Sequence, residues 1–291
     1  MPEAPSYLEK ATLPIPDSIR QEEAAWRMHP SIVLSAESAD ALLMAFHESQ
    51  NPDPEIVELL EQDGIMVRLK GNLMSHAIRV AVVGLALNDR LRIDHALAVA
   101  KAHLRHDTGK GDPRIREIIA IPRIIPRTSR AWQVVKTHPE IGARVLQAEM
   151  LAGAESMTLM DRLEVARLLR SVRLHHENMG GTGYYGIPGK EIPPVSRLVA
   201  VADTVDAMLA GEKGGRRGGR SRTPMEVLAE IHRCDGRSDW DRGLTGKRQD
   251  SEAQFDPEIV RTLRNEVWPH DEKGGPEALI TYIRPTDTDP V

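Results

Sequence analysis

Histidines and aspartates stand at several points of this sequence in compact arrangements, and these are residue types that hold borderline divalent metals. Two adjacent pairs and three single residues make up the set: His76, His106, Asp107, His138, His175, His176 and Asp203. Helices can carry such side chains from several segments into one interior site, as dimetal helical bundles do. We therefore expect these seven residues to form one metal site.

Each part of this set has a simpler interpretation that the sequence leaves open. Two other histidines, His95 and His103, are left out of the set. They lie on an apolar helical pattern and are interpreted as core or surface residues rather than as ligands. A His-Asp pair at 106–107 is by itself compatible with a helix end at which Asp fixes the His tautomer. The pair at 175–176 is followed by ENMGGTGYYG, whose glycines allow the backbone to approach an anion closely.

The segments that carry these residues read as helices. Apolar residues recur at helical spacing from Asn72 onward, and Asp94 is a plausible N-cap for the next helix, with Gly109 near its end. A proline-punctuated connector, DPRIREIIAIPRIIPRTSR, follows. Three further helices are predicted around TSRAWQVVKTHPEIGARVLQAEM, MDRLEVARLLRSVRLHH and VSRLVAVADTVDAMLA. The predicted fold class is all-α, a helical bundle with a small N-terminal helical appendage.

Flanking segments set the predicted domain organisation. We expect an N-terminal appendage and lead-in at residues 1–65, a main domain at 66–267 and a tail at 268–291. The appendage holds two short helical patterns, SAESADALLMAFHES and PEIVELLEQ. Within the main domain, GEKGGRRGGRSR reads as a loop and residues 233–253 as a polar insertion, before a final helix that starts at Asp256-Pro257.

Composition excludes several function classes. The chain has 291 residues and a net charge of -5, which gives no electrostatic footprint for DNA, RNA or an anionic membrane. Its one cysteine, Cys234, cannot close an intramolecular disulfide. The acidic, proline-containing N-terminus does not resemble a signal peptide, and no apolar run reaches the length of a membrane span. We expect a cytoplasmic protein that meets any anionic ligand through local cations.

Several motifs stand in a characteristic order along the chain. They are His76, HDTGK at 106–110, THPEIG at 137–142, HHENMGGTGYY at 175–185 and VADTVDAM at 201–208. In order and spacing this set resembles the HD-GYP branch of the HD phosphohydrolase superfamily, over roughly residues 70–265.

The resemblance implies an HD-domain helical bundle with a two- or three-metal centre, usually iron or manganese. Members are bacterial signalling hydrolases that convert cyclic di-GMP to its linear dinucleotide or to GMP through a metal-bridging hydroxide. Carried over by position, one metal would be held by His76, His106, Asp107 and Asp203. Asp107 would bridge to a second metal, held by His138, His175 and His176. Lys110 would neutralise charge that develops on the phosphoryl group, so Asp107 and Lys110 are the predicted catalytic residues.

The sequence departs from the family at the third metal and at the substrate contacts. Asn72 stands where three-metal members carry Glu, so two metals are expected. The signature loop reads Gly183-Tyr184-Tyr185 instead of Gly-Tyr-Pro, with Gly180 in place of the usual Asp. Loss of the proline is expected to loosen the loop, although Tyr184 can still stack or form hydrogen bonds. With Lys110, these three loop residues are the predicted substrate-binding set.

An Asp-Arg-Pro-Tyr-Arg stretch, expected after the last core helix, is also absent. The segment GEKGGRRGGRSR, called the glycine-arginine loop, takes its place. This loop is interpreted either as a source of replacement phosphate contacts or as a solvated linker, and its arginines are Arg216, Arg217, Arg220 and Arg222. The identity of the substrate is therefore open.

These departures leave three functions to compare. The first is a dinuclear phosphodiesterase acting on cyclic di-GMP. The second is a catalytically weak sensor that binds a cyclic dinucleotide or a protein partner, and the third is a phosphohydrolase acting on another nucleotide or phosphodiester. Retention of every two-metal ligand together with Lys110 favours an enzyme. A homodimer, a signalling-protein partner and the identity of the metal are not decided by the sequence.

Overall fold

A computed structural model describes residues 34–50, 72–121, 125–151, 157–210, 227–228, 230–231 and 254–267. Within these ranges the chain is helical and contains no strand, which confirms the all-α prediction. The helices are α1 Ala36–Gln50, α2 Asn72–Leu91, α3 Ala96–Arg105, α4 Pro113–Ala120, α5 Arg130–Val135, α6 His138–Leu151, α7 Leu159–Arg173, α8 Pro194–Ala210 and α9 Pro257–Thr262. Short 3-10 turns cover Thr108–Gly111 and Gly189–Glu191, and a π turn, Leu263–Val267, continues α9.

The core is formed around α2, α3 and α8. Nearly every residue of α2 from Ala77 to Leu87 is buried, so this helix is apolar on all sides and must lie in the middle of the bundle. Both α3 and α8 pack against it, and α6 packs against α7 and against the 3-10 turn Thr108–Gly111. Aliphatic side chains and alanines dominate this core, consistent with the low aromatic content.

Helix starts follow local sequence chemistry. Ser129 and Asp256 each accept a hydrogen bond from a backbone N–H in the first turn of α5 and α9. Thr158 and Asp161 form a reciprocal capping box at the start of α7. The predicted final helix at Asp256-Pro257 is present.

Three details of the sequence prediction are wrong. The connector after Asp112 contains a helix, α4, with Asp112 as its N-cap and Pro113 in its first turn. The single helix predicted around 128–150 is two helices, α5 and α6, because Pro139 has no N–H to continue the α5 ladder and instead suits the first turn of α6. The N-cap of α3 is His95, whose Nδ1 accepts from the Ala98 N–H, rather than Asp94.

Helix α1 belongs to the predicted N-terminal appendage and packs against α3 and α2. Its Ala41, Leu42 and Ala45 side chains are buried, and the hydroxyls of Ser35 and Ser38 both donate to Asp89. The second appendage pattern, the tail, the glycine-arginine loop and the insertion at 233–253 lie outside the described residues. The domain boundaries stay predictions. Among the described helices, none has both the length and the apolar character that crossing a membrane requires.

Candidate metal centre

The seven predicted ligands come from helix ends and from the inner faces of two long helices. His76 lies on α2 and Asp203 on α8, whereas the others occupy turns or first residues: His106 and Asp107 follow α3, His138 begins α6, and His175 and His176 follow α7. The structure brings all of these side chains around the Asp107 carboxylate. Asp107 is fully buried, and its two oxygens face two separate groups of ligands.

The first group, called half A, consists of His76, His106 and Asp203 around Asp107 Oδ2. The Nε2 atoms of His76 and His106 lie 3.5 Å and 3.3 Å from Asp107 Oδ2. Their distances to Asp203 Oδ1 are 3.2 Å and 3.9 Å. Half A therefore groups two imidazole nitrogens with Asp107 Oδ2, and Asp203 Oδ1 lies beside both nitrogens.

The second group, called half B, consists of His138, His175 and His176 around Asp107 Oδ1. The Nε2 atoms of His138 and His175 lie 3.3 Å and 3.8 Å from Asp107 Oδ1. The Nε2 of His138 lies 3.3 Å from that of His175 and 3.2 Å from that of His176. Half B therefore presents three imidazole nitrogens and one carboxylate oxygen.

Backbone carbonyls fix the tautomers of three ligands. The Nδ1 atoms of His106, His138 and His175 lie 2.7, 2.8 and 2.6 Å from the carbonyl oxygens three residues before them. A carbonyl only accepts, so each Nδ1 carries the proton and each Nε2 turns a lone pair inward.

The direction of these lone pairs and the unpartnered buried atoms beside them indicate whether a metal fits the site. Two neutral Nε2 atoms that face each other across 3.3 Å have no proton to share, so a cation between them would relieve their repulsion. His106 Nε2 and Asp107 Oδ1 are buried without a hydrogen-bond partner. Buried polar atoms of this kind are rare and call for a ligand. The donor set therefore fits a pair of divalent cations.

His76 is held differently, by a charged pair. Its Nδ1 lies 2.6 Å from Asp206 Oδ2, and Asp206 Oδ1 accepts from Arg79 Nε at 2.6 Å. Burial lowers the pKa of His76, but hydrogen bonds to Asp107, Asp203 and Asp206 outweigh it and leave the pKa well above 6.5. Burial raises the pKa of Asp206, yet the charges of Arg79 and His76 bring it below its ordinary value. Asp206 therefore stays anionic behind a half-A ligand.

Half B has the opposite electrostatics. Burial is the main cause that lowers the pKa of His138, of His175 and of His176, the last to about 3. Neighbouring cations and histidines add to the effect on His175 and His176. These three imidazoles are neutral near pH 7 and present lone pairs without first losing a proton.

Lys110 lies beside the shared carboxylate. Its Nζ donates to Asp107 Oδ2, and its side chain is more accessible than that of Asp107, at 22% against 0%. Burial raises the pKa of Asp107, but the charges of His106 and Lys110 hold it well below the usual range. The ammonium group therefore lies at the accessible edge of the cage.

The signature loop is tethered by Glu177. This buried carboxylate accepts the backbone N–H of Tyr185 and that of Ile187, both at 2.7 Å. A Cβ on Gly183 would lie 2.5 Å from the Glu177 Cα, so only glycine fits beneath the loop. Tyr185 supplies an N–H that proline lacks, and Glu177 binds it. The expectation that loss of the proline loosens the loop stays a prediction.

The tethered loop places Tyr184 against half B. Its ring centroid lies 4.5 Å from that of His176, with an interplanar angle of 35°. Burial, together with the charges of Asp107 and Asp203, raises the pKa of Tyr184, so it stays a neutral phenol. Tyr185, in contrast, is exposed.

Sequence reasoning missed Asp206, Arg79 and Glu177. Asp203 and Asp206 are three residues apart, as are His76 and Arg79, and this spacing places each pair on one helix face. This spacing is a weak signal for Asp206, because it does not show that the two helices meet. His103 is buried in the core with Nδ1 near the Val99 carbonyl, at 2.7 Å, as its exclusion from the ligands predicted. The Asn72 side chain and the four arginines of the glycine-arginine loop lie outside what the structure describes.

Comparison with known proteins agrees with this geometry. Residues 73–208 match the HD domain family model. A cyclic di-GMP phosphodiesterase response regulator, RpfG, of Xanthomonas campestris is 32% identical over 143 residues, which are 47% of this chain and 32% of that protein. A cyclic di-GMP phosphodiesterase of Thermotoga maritima is 33% identical over 135 residues, 45% of this chain and 31% of that protein. The chain thus spans about a third of the length of these relatives.

Two further matches extend the set. A cyclic di-GMP phosphodiesterase of Vibrio cholerae is 38% identical over 85 residues, 28% of this chain and 16% of that protein. Among solved structures, the HDG"Y"P protein Bd1817 of Bdellovibrio bacteriovorus aligns with a TM-score of 0.48 at 14% identity, covering 85% of this chain and 77% of that one. The resemblance read from the motifs is confirmed by the family model and the relatives.

Proposed function

Since residues 73–208 match the HD domain family model, we propose that this protein is a metal-dependent phosphodiesterase that hydrolyses cyclic di-GMP, to the linear dinucleotide or to GMP. The cyclic dinucleotide comes from the names of the relatives, each of which matches over part of its length. The reaction class is supported by the side chains themselves.

The observation that carries the proposal is the convergence of two donor groups on opposite oxygens of one buried carboxylate. Half A meets Asp107 Oδ2 and half B meets Asp107 Oδ1. Two cations bound there would activate a water and neutralise the oxygens of a phosphodiester. Imidazole and carboxylate donors suit iron or manganese, and we propose two such ions as the cofactors.

The chain's own residues then bind and orient the phosphodiester. Asp107, kept anionic by His106 and Lys110, holds both halves in register. Lys110, at the accessible edge of the cage, would donate to a phosphate oxygen and neutralise charge that develops on it. Tyr184, a neutral phenol with its ring against His176, would donate a further hydrogen bond or pack against the sugar and base.

Hydrolysis is favoured over a sensor role by two features. Lys110 is placed beside the bridging carboxylate, where a module that only binds would not need it. The altered signature loop, which motivated the sensor hypothesis, is held by the two hydrogen bonds to Glu177. Tyr184 is therefore fixed in place.

The test is hydrolysis of cyclic di-GMP by protein reconstituted anaerobically with Mn(II) or Fe(II), with products separated by chromatography. Cyclic di-AMP and bis(p-nitrophenyl) phosphate serve as alternative substrates. We expect turnover of cyclic di-GMP, and a fall in kcat of about 100-fold or more in Lys110→Gln with metal content unchanged. Lys110→Arg, which keeps the charge, is the matched variant and should lose less.

The outcomes separate the candidate functions. Binding of cyclic di-GMP without turnover by metal-loaded protein would favour the sensor. Turnover of another phosphodiester alone would keep the enzyme and change its substrate.

A further inference from the structure

A continuous set of ring and cation contacts leads from half B to the surface. Tyr184 packs on His176, and the Trp132 ring meets Tyr184 edge to face, with centroids 6.0 Å apart and an interplanar angle of 84°. Lys136 Nζ lies 5.5 Å from the Tyr184 ring centroid, and the Arg127 guanidinium lies 5.7 Å from that of Trp132. We call Arg127, Trp132, Lys136 and Tyr184 the cation-aromatic wall.

Local structure fixes this wall relative to the cage. Trp132 and Lys136 are four residues apart at the end of α5, so they share one helix face. The Ser129 hydroxyl accepts the Trp132 N–H at 3.1 Å and anchors the start of that helix. His138, a half-B ligand, follows Lys136 by two residues. Three residues of the wall and one half-B ligand are therefore built on one short stretch of backbone, 127–138.

The wall is accessible to a ligand. Arg127 is exposed, and the side chains of Trp132, Lys136 and Tyr184 are half-buried. An arrangement that served only core packing would surround these rings with aliphatic groups, whereas here two cations lie against them. Aromatic faces beside cations are the platforms on which proteins stack nucleobases, because every base has a π face and is linked to a phosphate.

We propose that the cation-aromatic wall is a nucleobase subsite. In it, Trp132 and Arg127 stack on the base that adjoins the bound phosphodiester, and Lys136 meets a neighbouring phosphate. The proposal rests on the proposed function insofar as a phosphate must occupy the cage. It assigns the local cations that a chain of net charge -5 needs in order to bind an anionic dinucleotide.

The experiment compares two ligands that the enzyme leaves unchanged. GMP adds a ribose and a base to the phosphate, so the dissociation constants of GMP and inorganic phosphate from Mn(II)-loaded full-length protein give the contribution of the nucleoside, and the Trp132 variants give the share of the base. We expect GMP to bind at least about fivefold more tightly than phosphate to the wild type, the lower end of the range for one stacked base. Trp132→Ala should remove this difference and leave phosphate affinity unchanged, and Trp132→Phe should retain most of it.

Arg127→Gln keeps the proposal testable if Trp132→Ala does not fold, because Arg127 is exposed. It should weaken GMP binding about threefold or more without affecting phosphate. The matched control is Arg130→Gln, which removes an exposed cation three residues further along the chain that is not part of the wall, and it should bind both ligands as the wild type does.

The subsite is overturned if the wild type binds GMP no more tightly than phosphate, or if Arg127→Gln and a folded Trp132→Ala bind GMP as the wild type does. Cyclic di-GMP turnover, measured separately, distinguishes the two proposals. Base-dependent binding without turnover supports the subsite and contradicts the proposed activity. Turnover of cyclic di-GMP, with GMP binding that is independent of Trp132 and Arg127, supports the proposed activity and contradicts the subsite.

Discussion

Half A and half B present the same atom, imidazole Nε2. His106 of half A is held by a backbone carbonyl, as His138 and His175 of half B are, but His76 is held by a charged pair. In half A, His76 is backed by the buried Asp206 carboxylate and through it by Arg79. In half B, His138 and His175 are backed by neutral carbonyls, those of Val135 and Val172. Half A also contributes two carboxylates to its centre, whereas half B has only the shared oxygen of Asp107.

The difference places most of the negative charge on one side of the bridge. The pKa of His76 is raised by its carboxylate partners, and the pKa values of the half-B histidines are lowered by burial. A cation in half A is balanced by Asp107 and Asp203, while one in half B depends on Asp107 and on well-oriented neutral rings. We therefore expect half A to be sensitive to charge behind its ligands and half B to be sensitive to backbone geometry.

The largest loss of stability is expected for a substitution at Gly109, where the two halves join. A Cβ there would lie 1.9 Å from the His138 carbonyl oxygen and 2.7 Å from Gly142 N. Because these are backbone atoms at the start of α6, Gly109→Ala must separate Asp107 from half B, and we expect a loss of about 3 kcal/mol or more in the free energy of unfolding. Urea denaturation measures it.

Gly142→Ala is the matched control, since its Cβ would approach Gly109 N only to 3.0 Å. It should be much milder. Equal stability of the Gly109→Ala protein and the wild type would show that the joint is not closely packed.

The next prediction concerns the pH dependence of stability and His103, a titratable residue behind half A. The His103 carbonyl accepts from the half-A ligand His106, and its ring packs so closely that a Cβ on Gly84 would overlap it. Burial lowers the pKa of His103 from 6.5 to about 4. Between these pH values the unfolded chain therefore binds a proton at His103 that the folded chain does not bind. The free energy of unfolding falls as the pH drops from about 6.5 to about 4, by up to about 3 kcal/mol.

Unfolding free energies at pH 7 and pH 4.5 for the wild type and His103→Leu test this. The variant should lose less stability over that interval. An identical loss in both proteins would show that His103 does not contribute.

The charged support of half A can be tested with Asp206→Asn. The substitution keeps the size of the side chain and removes the charge behind His76, so metal affinity at half A should fall about tenfold to a hundredfold. Half B serves as the internal control and should bind as before. Stepwise titration with Mn(II) resolves the two events, and an equal loss at both sites would contradict the distinction between the halves.

The smallest loss of stability is expected for a substitution in the signature loop beside half B. Tyr185→Pro removes the N–H that donates to Glu177, at a cost of about 1.5 kcal/mol for a hydrogen bond to a charged group. Tyr185→Ala keeps that N–H and should lose less stability. If both variants unfold alike, the side chain of Tyr185 matters rather than its backbone.

Much of this architecture could be predicted from the sequence where the signal is local. The helices α1, α7, α8 and α9 follow apolar spacing, capping residues and prolines in the first turn. Motif order also predicted which histidines and aspartates would meet. The α4 start at Asp112-Pro113 had such a signal, which the surrounding prolines obscured.

Other features depend on tertiary structure. An Asp-x-x-Asp or His-x-x-Arg spacing is equally compatible with a solvated helix face, so the Asp206–Arg79 pair is recognisable only when α2 and α8 pack together. Glu177 binds backbone groups eight and ten residues away, for which no residue pattern exists. The Trp132–Tyr184 contact joins segments 52 positions apart. A homodimer or a signalling-protein partner, which the sequence left open, is not tested by the structure.

The most direct test of two half-sites sharing one carboxylate is to count bound metal. Mn(II) is added anaerobically to the wild type, His76→Ala, His175→Ala and Asp107→Ala, and the ions retained per chain are measured by elemental analysis. We expect two ions in the wild type, one in each histidine variant and fewer than one in Asp107→Ala, because Asp107 serves both halves. A single ion in the wild type, or full occupancy in Asp107→Ala, would contradict the account.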